Sequence, residues 1–254
     1  MALGSIRLLA TQAKAWNAPV MGCYLFTPAT DTGRAAFSSL AIMLKNFIRP
    51  LGLWRLGLPC LLNGSGSAYP FSLLRNAPHG EGFIAEDYQL TVDLLEQGYP
   101  TRFVPTARIV GQFPHKDATA QKQRRRWEHG HLHLSLHVAP RLLLNGISLF
   151  DKNRLAIGLD LLVPPLVYLA LIGGVVATLA FGKAALGQVW PLQVMSVSVV
   201  LFVVSLILAW GRYAELAVTL QTLAELPRYV LWKLPIYRDY FRQRETRWMK
   251  TERD

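Results

Sequence analysis

Two stretches without a charged residue, Leu161–Gly182 and Pro191–Trp210, restrict this chain more than any other feature. Each is long enough to cross a hydrocarbon core of ~30 Å as a helix rising ~1.5 Å per residue. The connector Lys183–Val189 is short, so the pair is predicted to form an antiparallel hairpin. Between Leu155 and Gly211 only Asp160 and Lys183 carry charge, whereas the basic residues behind the net charge of +11 gather at 102–126 and 228–253. This bias predicts a multi-pass protein of the inner (plasma) membrane, with both termini cytoplasmic and the hairpin tip outside. The competing reading is a helical hairpin buried in a soluble domain, for which 254 residues offer little covering mass. Pro164-Pro165 is expected to kink or delay the first span, and Gly173-Gly174 invites close helix packing.

The remainder divides by composition. Residues 1–127 read as mixed α/β and cytoplasmic, 128–154 as an amphipathic interfacial connector, 155–211 as the two transmembrane helices, and 212–254 as a basic, aromatic cytoplasmic tail. Met1–Trp16 lacks the apolar core of a signal peptide and carries Arg7 and Lys14. Cys23 and Cys60 show no metal spacing and are expected to be reduced core residues. Pro19–Thr27 is short and apolar, as a strand requires. Phe37, Leu40, Ala41, Leu44, Phe47 and Ile48 recur at helical spacing, and that helix is predicted to stop at Arg49-Pro50. Leu51–Leu58 fits either a membrane surface or a packed loop. A helix is predicted over Ala85–Gln97, stopped by Gly98, with an extended segment over Arg102–Val110.

Three constellations carry candidate chemistry. Asp87, of the pair Glu86-Asp87, falls in the first turn of the predicted helix. There a carboxylate caps free N–H groups, or is held rigid to take a proton from a substrate hydroxyl. Lys122–Trp127 combines four cations with one indole; guanidinium forks bind phosphate oxygens and indole faces stack on sugars or bases. A solvated basic face or a contact with anionic lipid headgroups explains the run as well, while the apolar hairpin argues against nucleic acid. Asn63–Ser67 is a glycine-rich loop that lets a ligand approach the backbone closely. His129, His133 and His137 share one helix face, but alternate with Leu132, Leu134 and Leu136, so an interfacial amphipathic helix is expected rather than a metal site. The tail, with Trp232, Tyr237, Tyr240, Phe241 and Trp248 among cations, suits the headgroup region.

In combination, Glu86-Asp87, then Gln123-x-x-Arg126-Trp127, then apolar spans, resemble the membrane-embedded family-2 glycosyltransferases. These include synthases of cellulose, hyaluronan and poly-N-acetylglucosamine, and related exopolysaccharide or glycolipid transferases. Gly64-Ser65-Gly66 matches their acceptor-side glycine loop, and Trp248-x-Lys250-Thr251-x-Arg253-Asp254 resembles the C-terminus of bacterial members. The resemblance runs from about residue 19 to the end. It implies an inverting transfer of sugar from a nucleotide-sugar to a saccharide or lipid-linked acceptor. Asp87 would be the general base, with Glu86 beside it. Gln123 and Arg126 would contact the diphosphate or the acceptor channel, Trp127 would stack on the acceptor sugar, and Gly64, Ser65 and Gly66 would line the acceptor side. The family's fold is of the GT-A α/β type, and its donor half carries a D-x-D element for Mg²⁺ or Mn²⁺. This chain contains no D-x-D. The resemblance therefore implies the acceptor-side, C-terminal portion of such an enzyme, a partial GT-A domain followed by a transmembrane hairpin and interfacial helices. It would have no cofactor of its own, its metal arriving with a separate N-terminal half. Alone it would be an inactive fragment or membrane subunit.

Overall fold

The computed structural model describes residues 3–27, 33–76, 84–113, 117–213 and 224–242. The fold is mostly helical around a small mixed sheet. In chain order the elements are α1 (Leu3–Trp16), β1 (Val20–Thr27), α2 (Gly33–Met43), a π-helical turn (Leu44–Ile48), α3 (Arg49–Arg55), β2 (Ser67–Ala68) and α4 (Phe71–Asn76). They continue as α5 (Glu86–Glu96), β3 (Arg102–Gln112), α6 (Asp117–His137), α7 (Ala139–Ser148), α8 (Lys152–Leu162), α9 (Leu166–Ala185), α10 (Trp190–Tyr213) and α11 (Leu226–Arg242).

The sheet has the order β2-β1-β3. β1 runs parallel to β3 from Val20 opposite Arg102 to Thr27 opposite Gln112, and antiparallel to β2, with Val20 opposite Ala68 and Met21 opposite Ser67. The β1–β3 register jumps between Gly22 and Cys23, whose partners are Val104 and Arg108. Pro105 lies in the skipped segment, where a residue with no N–H breaks the ladder at least cost. Gly22 is obligatory there, because a Cβ would fall 2.6 Å from the Ala107 carbonyl oxygen. One sheet face buries Val20, Val104 and Ile109 against Leu9 and Ala13 of α1. The other buries Met21 and Phe103 against Cys60, Leu62 and Leu94, so both cysteines are core residues.

A second core joins α5, α6, α7 and α8 through Tyr88, Val92, Leu134, Leu142, Ile157 and Leu161. Its tightest point is Gly130 of α6, where an added Cβ would meet the Ala85 Cβ at 2.7 Å. α7 and α8 form a close hairpin through Gly146 against Leu155 and Gly158 against Leu143. Asp151 caps α8 by accepting from the N–H of Asn153 at 2.8 Å.

Several expectations change. The helix through Phe37 does not stop at Arg49-Pro50. It widens into the π turn, in which the Arg49 N–H reaches Leu44 O, and α3 carries on through Pro50. The wider turn opens the ladder where the proline cannot donate and its ring would crowd a regular helix. Leu51–Leu58 is consequently helical as far as Arg55. α6 runs unbroken across the 127/128 boundary, and Glu128, His129, His131 and Leu132 are buried rather than interfacial. Within the same 128–154 stretch, α7 is amphipathic: it buries Ala139 and Leu142 and exposes Leu144 and Ile147. Part of the basic, aromatic tail expected over 212–254 is helical and packed inward. α11 buries Tyr229, Lys233, Ile236, Tyr237 and Tyr240, packing against α2, α6 and α9. Trp248 and the following C-terminal motif lie outside the described residues. The first apolar stretch is delayed by Pro164-Pro165, which separate α8 from α9. α9 and α10 are both long and apolar enough to cross a membrane, and most of their side chains are exposed.

One buried ion pair ties the two halves of the helical layer. Lys233 of α11 donates to Glu128 of α6, with both side chains almost fully buried. Removing one partner leaves a buried charge alone, so Lys233→Met is expected to cost ~3–5 kcal/mol, and joint replacement with Glu128→Leu to recover most of it. Gly130→Ala is expected to cost ~1–3 kcal/mol by forcing α6 from α5. Denaturant unfolding in detergent measures all three; native-like midpoints would show that these contacts yield.

Candidate functional site

Asp87 is the second residue of α5, at the junction of loop and helix. Ala85, at the N-cap, offers no side-chain acceptor, and Asp87 Oδ1 accepts from the Tyr88 N–H at 3.0 Å. The capping role is thus real, yet it leaves Oδ2 facing elsewhere. A Cβ built on Gly64 would lie 3.8 Å from Asp87 Oδ2, so the glycine loop runs directly against the carboxylate. The backbone beneath is braced: the Thr91 hydroxyl donates to Asp87 O at 3.0 Å and accepts from the Leu62 N–H at 2.9 Å.

The loop itself is pinned at both ends. The Gly22 N–H donates to Gly66 O at 2.8 Å, and the Ser67 hydroxyl donates to Asn63 O at 3.0 Å. Gly66 has φ +78° and a Cβ there would meet Ile109 Cδ1 at 3.0 Å, so both conformation and space demand glycine. Gly64 and Ser65 are both exposed.

The electrostatics follow from burial. Desolvation pushes the Asp87 carboxyl above the usual carboxylate range; the charge of Lys45 opposes that rise, while neighbouring Glu86 adds to it. Glu86 itself is exposed. Lys45, in the π turn, lies 4.8 Å from the centroid of the Tyr88 ring. Burial raises the Tyr69 phenol further from ionisation, and the Asp87 charge adds to that rise.

The basic cluster separates into inward and outward residues. Arg124 is 5 % exposed, 4.4 Å over the Phe113 ring and 5.7 Å over the Trp127 ring. Trp127 packs edge-on to Phe26 at 5.9 Å, beside Ile42 and Phe113. Arg125 pairs with Asp239 of α11 at 3.4 Å. Arg126 is half-buried. Gln123 has its Oε1 enclosed, with no hydrogen-bond partner among the described residues. The structure therefore brings Gly64 and Asp87 together. It sets Trp127 on the neighbouring helix, with contacts to aromatic rings and Arg124 rather than to Asp87. Gly130, about one turn or ~4.5 Å along α6 from Trp127, is the point where α6 touches Ala85.

Among the described residues no group of three His, Cys, Asp or Glu side chains could hold a metal ion. His129 Nε2 meets Ile236 O at 2.8 Å and His137 Nδ1 meets His133 O at 2.9 Å, so two of the predicted histidines engage the protein's own carbonyls. Lys45, Tyr69 and Lys233 carry no motif that singles them out in the sequence. The one signal for the first is a Lys45-Asn46 pair inside an otherwise apolar helical run.

Because its carboxyl is harder to ionise folded than unfolded, Asp87 favours the folded state only while protonated. That stability is complete below about pH 4, near the unfolded aspartate value, and is lost as pH rises through the folded one. Asp87→Asn is accordingly expected to raise the unfolding midpoint at neutral pH and to match wild type near about pH 3, read by denaturant titration at the two pH values. A destabilised variant at neutral pH would contradict this balance.

Among curated proteins none matches the chain. The sequence profile of Glycosyl transferase family group 2, however, matches residues 32–236, spanning α2, the glycine loop, Asp87, the basic cluster, both apolar helices and most of α11. The chain belongs to that family of glycosyltransferases.

Proposed function

We propose that this chain is the acceptor side of an inverting glycosyltransferase working at a membrane face. The observation that carries the reading is the Gly64 backbone lying against the Asp87 carboxylate, so close that a Cβ on the glycine would sit 3.8 Å from Oδ2. A bare loop beside a braced, desolvated carboxylate leaves room for a sugar hydroxyl next to a base.

In this mechanism Asp87 takes the proton of the acceptor hydroxyl as its oxygen forms a bond to the anomeric carbon of a nucleotide-sugar. The bond from that carbon to the diphosphate breaks on the opposite face, the nucleotide leaves with the electron pair, and the configuration inverts. Burial makes Asp87 a stronger base than a solvated aspartate. Arg126 and Gln123 would hold diphosphate or acceptor, with Arg124 adding positive potential, and developing charge on a leaving group is where such cations act. Trp127 would stack on the acceptor sugar. Both apolar helices would cross the inner membrane with the termini on the cytoplasmic side, in keeping with the basic flanks. Membrane lipids and a saccharide or lipid-linked acceptor are then the natural partners.

The chain has no D-x-D, and a diphosphate with no cation leaves charge uncompensated. A nucleotide-binding portion, carrying Mg²⁺ or Mn²⁺, would therefore act in concert with this chain, as a separate polypeptide or an adjoining segment. The same observation supports a second reading, an inactive fragment or membrane subunit of a degenerate transferase. Micromolar binding of radiolabelled nucleotide-sugar by the purified chain would exclude that second reading.

With the donor-binding portion present, Asp87→Asn is expected to reduce sugar transfer at least ~100-fold while leaving membrane insertion intact. Transfer assays on membrane vesicles, paired with carbonate extraction, check it. Retained transfer would remove Asp87 from the role of base.

A further inference from the structure

Helix α7 ends in a Schellman turn. The Phe150 N–H donates to Ile147 O at 3.3 Å, and the Asp151 N–H to Gly146 O at 2.9 Å. The turn holds Phe150 at φ +53°, in the left-handed region where glycine or asparagine is the usual choice. A bulky aromatic is costly there, and the fold draws little packing from this one, since Phe150 is 94 % exposed. Its use lies outside the protein's own core.

The surface around it is of the same kind. α7 and α8 run antiparallel and touch along one line, Gly146 against Leu155 and Gly158 against Leu143. On one side of that line Leu142, Ile157 and Leu161 enter the core shared with α5 and α6. At ~100° per residue, the exposed Leu144 and Ile147 of α7 and Leu159 of α8 turn to the opposite side. Leu149 and Phe150 at the hairpin tip, and Leu162 at the end of α8, extend the apolar exposure. The acids of the hairpin are engaged elsewhere: Asp151 caps α8 and Asp160 pairs with Arg49. Lys152, about two turns before Leu159 and hence on its face, is exposed.

What covers this face follows from where it leads. α8 passes through Val163-Pro164-Pro165 into α9, an apolar helix long enough to cross a bilayer and mostly exposed. An apolar face continuous with such a helix, with a lysine beside it, suits the boundary between acyl chains and anionic headgroups. We infer that the α7–α8 hairpin lies in the surface of the phospholipid leaflet that α9 enters, with Phe150 as its anchor. The inference rests on α9 and α10 spanning the membrane, as proposed above. Seated in this way, the hairpin ties α5 to the leaflet through the shared core and the Arg141 pair with Glu96.

The test uses the full chain in vesicles of phosphatidylethanolamine and phosphatidylglycerol, with nitroxide labels on single introduced cysteines. The native Cys23 and Cys60 are buried from the reagent. Labels at Ile147→Cys, Phe150→Cys and Leu159→Cys are expected to relax faster with oxygen, which concentrates in lipid, than with a water-soluble nickel complex. A label at exposed Val200 of α10 reports the spanning helix, and one at exposed Gln97 reports water. Phe150→Gly is expected to keep or raise the unfolding midpoint, because glycine suits the turn, while cutting the oxygen relaxation of the Ile147 label about twofold. Lipid exposure at Val200 with water exposure at the hairpin would overturn the inference and leave the spanning helices in place. Water exposure at Val200 would overturn both. Hairpin labels shielded from both reagents would mean that protein, such as a second copy, covers the face, and the inference would fall. A midpoint lowered by Phe150→Gly would make Phe150 a packing residue and end its role as anchor.

Discussion

The contact of Gly130 with Ala85 is the constraint from which the rest of the arrangement follows. Helix α6 lies so close to the start of α5 that a methyl group would collide at 2.7 Å. That approach fixes where the basic cluster stands relative to Glu86-Asp87, since about one helical turn separates Gly130 from Trp127. It also places α6 at the hub of the helical layer, in contact with α5, α7, α8 and α11. Lys233 then docks α11 onto α6 by donating to Glu128 out of reach of water. A buried pair of this kind is poor evidence of stability, because desolvation offsets most of the attraction. Its value is in register: an apolar α11 face lined by Tyr229, Ile236 and Tyr237 would slide, whereas a single buried cation matches a single buried carboxylate.

The cost of this arrangement appears at Asp87. Burying a carboxylate beside Glu86 works against folding at neutral pH, and nothing in the packing of α5 requires an acid there: Asn would accept the Tyr88 N–H equally well. A residue that opposes stability yet is braced through Thr91 and Leu62 is the pattern expected where chemistry, rather than packing, set the side chain.

Much of the frame is legible in residue patterns. The apolar run Pro19–Thr27 corresponds to β1, Ala85–Gln97 to α5 with its ends shifted by one residue, and Arg102–Val110 to the body of β3. These are local patterns, set by alternation, caps and glycine stops. The glycine loop can be placed against Asp87 only through the resemblance, because residues far apart in sequence meet there through the β1 hydrogen bond to Gly66. The misses share a cause as well. Pro50 reads as a stop, since a regular helix cannot carry it, and the π turn that accommodates it leaves no periodic trace. Lys233 and His129 read as surface residues by their chemistry; what buries them is a partner on another helix, about a hundred residues away. The 226–242 segment resembles a headgroup anchor because its aromatics and cations alternate, and only tertiary contact reveals which of them face inward.

The same long-range contacts tie the candidate site to the apolar helices. α8 ends at Leu162, and only Val163-Pro164-Pro165 separates it from α9. Its last turn is held from two directions. Arg49, just past the π turn that carries Lys45, pairs with Asp160, and His131 of α6 meets Leu161 O. Pro164-Pro165 restrict the backbone between this anchored turn and α9, so the start of the apolar helix cannot drift far from the π turn. Tyr168 of α9 meets Tyr237 of α11 at 5.0 Å and closes the frame from the other side. In a membrane setting, the height of Asp87 above the bilayer would then be set by rigid contacts rather than by a linker. If Asp87 is the base proposed above, an acceptor hydroxyl held at a fixed depth would meet it without a search, because one braced layer joins α5 to the apolar helices.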